Sequence, residues 1–228
     1  MDGKRRPVGF PRARFAVVFV LLLLLATGVV AFGSSADLRP RLDLAATAIV
    51  VITLVAATAD RGRRRAAFVL GVLALASNGT SLSGFRPLGI EIGPLAAVLL
   101  LSYTTVLLVG TVMRSSRVTG DVLAGALAAY VMTGLAFAMV YGAIESFSPG
   151  AIQVDHALRP SLSDLVYFSF ITLMTIGYGD VTPGVPATRA VAMLEGLSGI
   201  TLTTVVLASL VANYLSGGRD DSADFNRP

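Results

Sequence analysis

Apolar runs separated by short arginine clusters divide the chain into six stretches, at 16–32, 44–59, 66–77, 90–113, 122–144 and 187–215. A bilayer hydrocarbon core of roughly 30 Å takes about 20 mostly apolar residues of helix, so these stretches predict membrane spans. The third is short, about a dozen residues between Arg65 and Asn78, a length that also suits a re-entrant or interfacial helix. Between the last two stretches the pattern changes. Pro160 precedes Ser161, Asp164 follows three residues later, and an apolar face runs on to Met174, which predicts a capped helix over 161–174. At about 1.5 Å per residue this helix reaches roughly 21 Å, too short to cross. It must dip into the membrane and return. Irregular backbone at that depth occurs only buried in protein or lining a watery path, so the returning residues 175–180 are expected to line a cavity.

Charge sets the expected orientation. Counting the third stretch as a crossing puts Lys4, Arg5, Arg6, Arg12, Arg14, then Arg61, Arg63, Arg64, Arg65, then Arg114, Arg117, then Arg219 and Arg227 on the cytoplasmic side. Only Arg39, Arg41, Arg86, Arg159 and Arg189 fall outside, and removing the crossing would invert everything after it. The expectation is a multi-pass protein of the cell membrane with both termini cytoplasmic and the 145–188 loop outside. The run after Lys4, Arg5 and Arg6 also fits a signal peptide, but it exceeds the usual apolar region of about 7 to 15 residues, which favours an uncleaved span. Asn78-Gly79-Thr80 is a sequon-like triplet on the outer side, of a kind common by chance.

Composition narrows the classes. The 228 residues are 54% hydrophobic and 14% charged, with mean hydropathy +0.76, which leaves no room for a separate soluble domain. The net charge of +4 and pI near 9.8 lie in topology-setting clusters rather than on one basic face, so no nucleic-acid partner is expected. With no cysteine and the single His156, the chain has neither a disulfide framework nor a thiolate or histidine-cluster metal site. No enzymatic constellation is evident.

The string Thr175-Ile176-Gly177-Tyr178-Gly179-Asp180 resembles the selectivity filter of potassium channels, and 164–183 resembles their pore helix and filter together. The resemblance covers about 122–215. It implies an all-α membrane protein of six transmembrane helices with a re-entrant pore helix and filter loop between the fifth and sixth, assembled as a homotetramer around K+ as the permeant ion, with no cofactor. A dehydrated K+ exchanges its water shell for rings of backbone carbonyls. The resemblance gives these to Thr175, Ile176, Gly177 and Tyr178, with the Thr175 hydroxyl closing the innermost site. Gly177 and Gly179 permit left-handed backbone angles, whereas β-branched Ile176 is expected to keep an ordinary one. Tyr178 is expected to project behind the filter toward Tyr167 and Phe168, though ordinary core packing explains those two rings almost as well. Asp180 either concentrates cations at the outer mouth or caps the filter. The C-terminal end of the pore helix adds partial negative charge beneath.

In the last stretch, the gap-free register from the filter puts Gly199 where many potassium channels carry a hinge glycine, while close helix packing suits Gly196 better. Thr203, Leu207, Val211 and Leu215 recur every fourth residue and form one stripe, expected to line the cavity and narrow to an apolar gate. Thr201, Thr203 and Thr204 also suit hydroxyls bonded back to the preceding turn. Glu195 is an acid well inside an apolar helix, costly by default, and a structural tie to the back of the pore helix near Ser169 or Thr172 is the favoured reading over ion handling.

The stretch 90–113 contains no basic residue, unlike an arginine-rich voltage sensor, so conventional voltage gating is not expected. The organisation read here is a basic cytoplasmic N-terminus (1–15), a four-helix region of unknown role (16–117), a pore domain (118–215) and a short polar tail (216–228). The basic N-terminus also suits contact with anionic membrane lipids. Two readings compete with a K+ channel: a transporter or membrane enzyme, which needs a second midplane constellation that the sequence lacks, and a subunit that regulates another channel without conducting.

Overall fold

The computed structural model describes residues 14–32, 92–113, 119–155 and 159–224. The expected spans at 44–59 and 66–77, the Asn78 triplet and His156 lie outside the described residues. Among those described, three helices are long and apolar enough to cross a membrane, Phe15–Phe32, Gly120–Phe147 and Pro186–Val206. The elements in chain order are α1 (Arg14–Phe32), α2 (Ile92–Met113), α3 (Gly120–Phe147), β1 (Ile152–Val154), α4 (Leu162–Leu173), β2 (Val181–Pro183) and α5 (Pro186–Asp224).

Helix α3 is the centre of the packing. It starts where the Thr119 hydroxyl accepts from the Val122 N–H at 3.3 Å, and it is longer at both ends than the apolar run suggested. Its small residues Ala128, Ala129 and Ala138 are buried, so neighbouring helices come close. Helix α1 presents Val18, Leu22, Leu25, Ala26 and Val29 as one buried face at three-to-four-residue spacing. Polar bonds fix both of its ends to the pore region. Asp121, in the first turn of α3, accepts from the Phe15 and Ala16 N–H groups at 3.0 and 3.4 Å, placing a carboxylate on the α1 N-terminus. At the other end, Ser163 of α4 donates to the Val30 carbonyl at 2.6 Å. Helix α1 therefore shares one core with α3 and α4.

Helix α4 has the expected capping box. The Ser161 hydroxyl accepts from the Asp164 N–H at 3.2 Å, and the Asp164 carboxylate accepts from the Ser161 N–H at 2.7 Å. The two strands were not anticipated in an all-α reading, because three-residue strands carry too little alternation to register as a pattern. They pair antiparallel, Ile152 with Pro183, Gln153 with Thr182 and Val154 with Val181, so the segment before α4 is laced to the segment after the filter. Glu145 closes the turn into β1 by accepting from the Gly150 and Ile152 N–H groups at 2.9 and 3.0 Å. The buried Thr188 hydroxyl ties the first turn of α5 to the Ala151 carbonyl at 2.9 Å. Helix α5 opens with Pro186, whose fixed φ suits a first helical position, and continues past residue 215 to Asp224, so the segment read as a polar tail begins as helix.

Candidate pore and filter site

The filter string begins as the end of a helix. The Thr175 N–H donates to the Thr172 carbonyl at 2.9 Å and the Ile176 N–H to the Ile171 carbonyl at 2.8 Å, the paired bonds of a Schellman cap with Thr175 at the left-handed position. Its φ is +59°. Glycine normally sits there, and a β-branched residue in this region costs roughly 1–2 kcal/mol, so Thr175 is strained where the sequence suggested no strain. Positive φ recurs at Gly177 (+58°) and Gly179 (+84°), while Ile176 and Tyr178 keep negative values. The ordinary angle expected for Ile176 is present, and the alternation starts at Thr175, two residues before the first of the glycines.

On this chain alone, Met174, Ile176 and Tyr178 are exposed, Tyr178 by 71%. Tyr178 stands largely exposed on its own chain, with its phenol near that of Tyr167. The two rings on α4 diverge because adjacent residues of a helix point about 100° apart. The Tyr167 hydroxyl donates to the Asp180 carboxylate at 2.9 Å, joining the pore helix to the outer end of the string. Phe168 faces the other way. It is buried edge-on against Tyr141 of α3, with ring centroids 4.9 Å apart and planes inclined at 62°, the core-packing alternative given for it above.

Behind the pore helix sits Glu195, wholly buried. One carboxyl oxygen meets the Ser169 hydroxyl of α4 in a short hydrogen bond, and the other lies 2.6 Å from the Tyr141 hydroxyl of α3. Ser169 also reaches the Gly134 carbonyl at 2.6 Å. Three helices thus meet at one acid. Ser169 was among the partners suggested by sequence; Tyr141 was not. A second phenol missed by the sequence reading, Tyr130, donates to the Leu173 carbonyl at 3.1 Å, satisfying a terminal carbonyl of α4. The signal was available: Tyr130 and Tyr141 are eleven residues apart, about three helical turns, and so share one face of α3.

Of the two inner-helix glycines, Gly199 is the one in close contact on this chain. A Cβ on Gly199 would lie 2.1 Å from the Leu173 carbonyl oxygen, so this glycine lets α5 cross directly beneath the end of the pore helix. Gly196, read above as the packing glycine, has nothing within 4 Å of such a Cβ on this chain. The α5 helix runs unbroken through Gly199 and on through Leu207, Val211 and Leu215. Thr203 is exposed, and its hydroxyl bonds back to the Gly199 carbonyl at 2.9 Å, as Thr201 does to Leu197 at 2.8 Å.

Residues 103–215 match the family model described as "Ion channel", a match that takes in α3, the re-entrant helix, the string and most of α5. The chain belongs to this family, that of the pore-domain potassium channels. It is 32% identical over 128 residues to Protein LctB of Bacillus caldotenax, covering 54% of this chain and 94% of that protein. It is also 33% identical over 89 residues to Two pore potassium channel c of Oryza sativa subsp. japonica and 30% identical over 111 residues to Voltage-gated potassium channel Kch of Escherichia coli (strain K12). Those two alignments cover 39% and 47% of this chain but only 18% and 25% of the relatives, so what is shared is the pore region.

Proposed function

We propose that the chain is a subunit of a tetrameric, K+-selective channel that passes K+ down its electrochemical gradient, with Thr175 to Tyr178 supplying the carbonyl sites. The observation that carries this reading is the alternation of backbone hand at Thr175, Gly177 and Gly179 immediately after a helix too short to cross. Alternating hands turn successive N–H groups to one side and successive carbonyls to the other, which is the lining a dehydrated cation needs.

Tetramer formation is supported by where the apolar surface lies. Met193, Leu194, Leu197 and Ile200 of α5 are exposed together with Ile176 and Tyr178, a face that four copies around one axis would cover. In that assembly Tyr178 gains its packing partners from a neighbouring copy, and Tyr167 with Asp180 braces the outer rim. Glu195 holds the back of the pore helix. The Thr203, Leu207, Val211 and Leu215 stripe lines the inner path and its gate, and Gly199 keeps any hinge motion close to the filter's base. The multi-pass cell-membrane orientation with cytoplasmic termini, and the absence of conventional voltage gating, belong to the same proposal.

The test is reconstitution of the purified chain in liposomes under opposed K+ and Na+ gradients, with Gly177→Ala as control. The expected result is a reversal potential near that of K+ in the wild type, with selectivity abolished in the variant, because alanine at φ +58° costs roughly 1–2 kcal/mol in each copy. A current that does not separate K+ from Na+ would overturn the selectivity assignment. Absence of current from intact tetramers would favour a subunit that needs a partner channel.

A further inference from the structure

The contacts around Glu195 determine its protonation state by counting hydrogens. Three close oxygen pairs form one connected network: Tyr141 Oη with Glu195 Oε2, Ser169 Oγ with Glu195 Oε1, and Ser169 Oγ with the Gly134 carbonyl. Each pair needs one hydrogen between its oxygens. A serine or tyrosine hydroxyl brings one hydrogen, a carbonyl or carboxylate brings none, and a carboxylic acid brings one. Tyr141 and Ser169 together supply two hydrogens for three contacts. If Ser169 donates to an ionised Glu195, its lone pairs face those of the Gly134 carbonyl at 2.6 Å, with nothing between.

We propose that Glu195 is a neutral carboxylic acid whose Oε1–H donates to Ser169, whose hydroxyl donates in turn to Gly134 O, while Glu195 Oε2 accepts from Tyr141. Each of the three oxygen pairs then has its hydrogen. The surroundings agree with a neutral group. Tyr141 and Tyr130 of α3 are the titratable side chains that face Glu195, α4 presents the Ser169 hydroxyl, and among the described residues no basic side chain bears on it. A buried unpaired charge at membrane depth is expensive, and such groups neutralise instead.

The role follows from position. Glu195 lies one turn above Gly199 on α5, and its partners are on α3 and α4, so a neutral acid joins the inner helix to the pore helix without placing a fixed negative charge behind the filter. It is a positioning residue for the channel proposed above and rests on that reading only for its role; the hydrogen count stands on geometry alone.

Infrared difference spectra of the reconstituted wild type against Glu195→Gln test it. The expected result is a protonated-acid C=O band at neutral pH that is absent from the variant. Glutamine donates from its amide nitrogen and accepts at its oxygen, so E195Q should retain tetramer thermal stability and K+ reversal potential, whereas Glu195→Ala should lose both. A carboxylate band at neutral pH, or E195Q as unstable as E195A, overturns the proposal. If E195Q does not assemble, Tyr141→Phe replaces it: losing the bond at Oε2 must move the acid band to higher frequency, and a band that does not move overturns the assignment. Both spectra and tetramer stability are read without ion flow, so a wild type that does not select K+ would refute the channel reading while leaving this test intact.

Discussion

The two sides of the inner helix differ in a way that reverses the usual rule for proteins in water. Toward its own chain, α5 buries polar groups, Glu195 and Thr188, each bonded to another element. Toward the outside it exposes Met193, Leu194, Leu197 and Ile200. The buried side fixes geometry through a few directional bonds. The exposed side offers area without direction, suited to lipid or to further copies of the chain. In the proposed tetramer, precision within the subunit and assembly between subunits fall to opposite faces of one helix, and substitutions on each face should fail differently.

The largest effect should come from breaking the inward face at its tightest contact. Gly199→Ala drives a Cβ onto a backbone carbonyl at 2.1 Å, and since neither helix can yield cheaply the expected loss is about 3 kcal/mol per chain, with collapse of the tetramer's thermal stability on heated gels. A pure hinge role predicts altered open probability with stability unchanged. Next in size is Ser161→Ala, which removes half of the capping box and should cost about 1 kcal/mol, read as a lower thermal unfolding midpoint with reversal potential retained. Tyr167→Phe cuts the strut to Asp180 and should show a slight loss of unitary current at low K+, with the fold unaffected. The smallest effect on the subunit should be Gly196→Ala, since the Cβ meets nothing on its own chain and alanine favours helix by about 1 kcal/mol. If monomer helicity holds while the tetramer weakens, Gly196 belongs to the face between copies, and the comparison sharpens.

What could be read from the sequence was what is local. The capping box of Ser161 and Asp164 and the short helix that it opens depend on neighbours within a few positions, and both are where the pattern put them. Glu195 stood out because an acid in an apolar helix is conspicuous, but Tyr141 is 54 residues away, and no periodicity states which faces of two helices meet. The same limit hides the close approach at Gly199 from the sequence. Gly196 and Gly199 are both small and three residues apart, and only the crossing point with Leu173 separates them. Phe168 and Tyr167, adjacent on α4, diverge to Tyr141 and to Asp180, partners that the sequence does not reveal. Thr175 escaped for a different reason: a left-handed threonine contradicts its own propensity, and the two cap bonds from Thr175 and Ile176 hold it there.

That cap also bears on the order of events during biogenesis. Its bonds span only three and five residues, so the turn at Thr175 forms as fast as the helix that it closes, with almost no loop-closure entropy to overcome. In the proposed tetramer, the first filter residue of every copy is then already turned before the copies meet. Assembly has only to bring four preset strands into register, and a nascent subunit waiting in the bilayer already holds the base of its filter in shape.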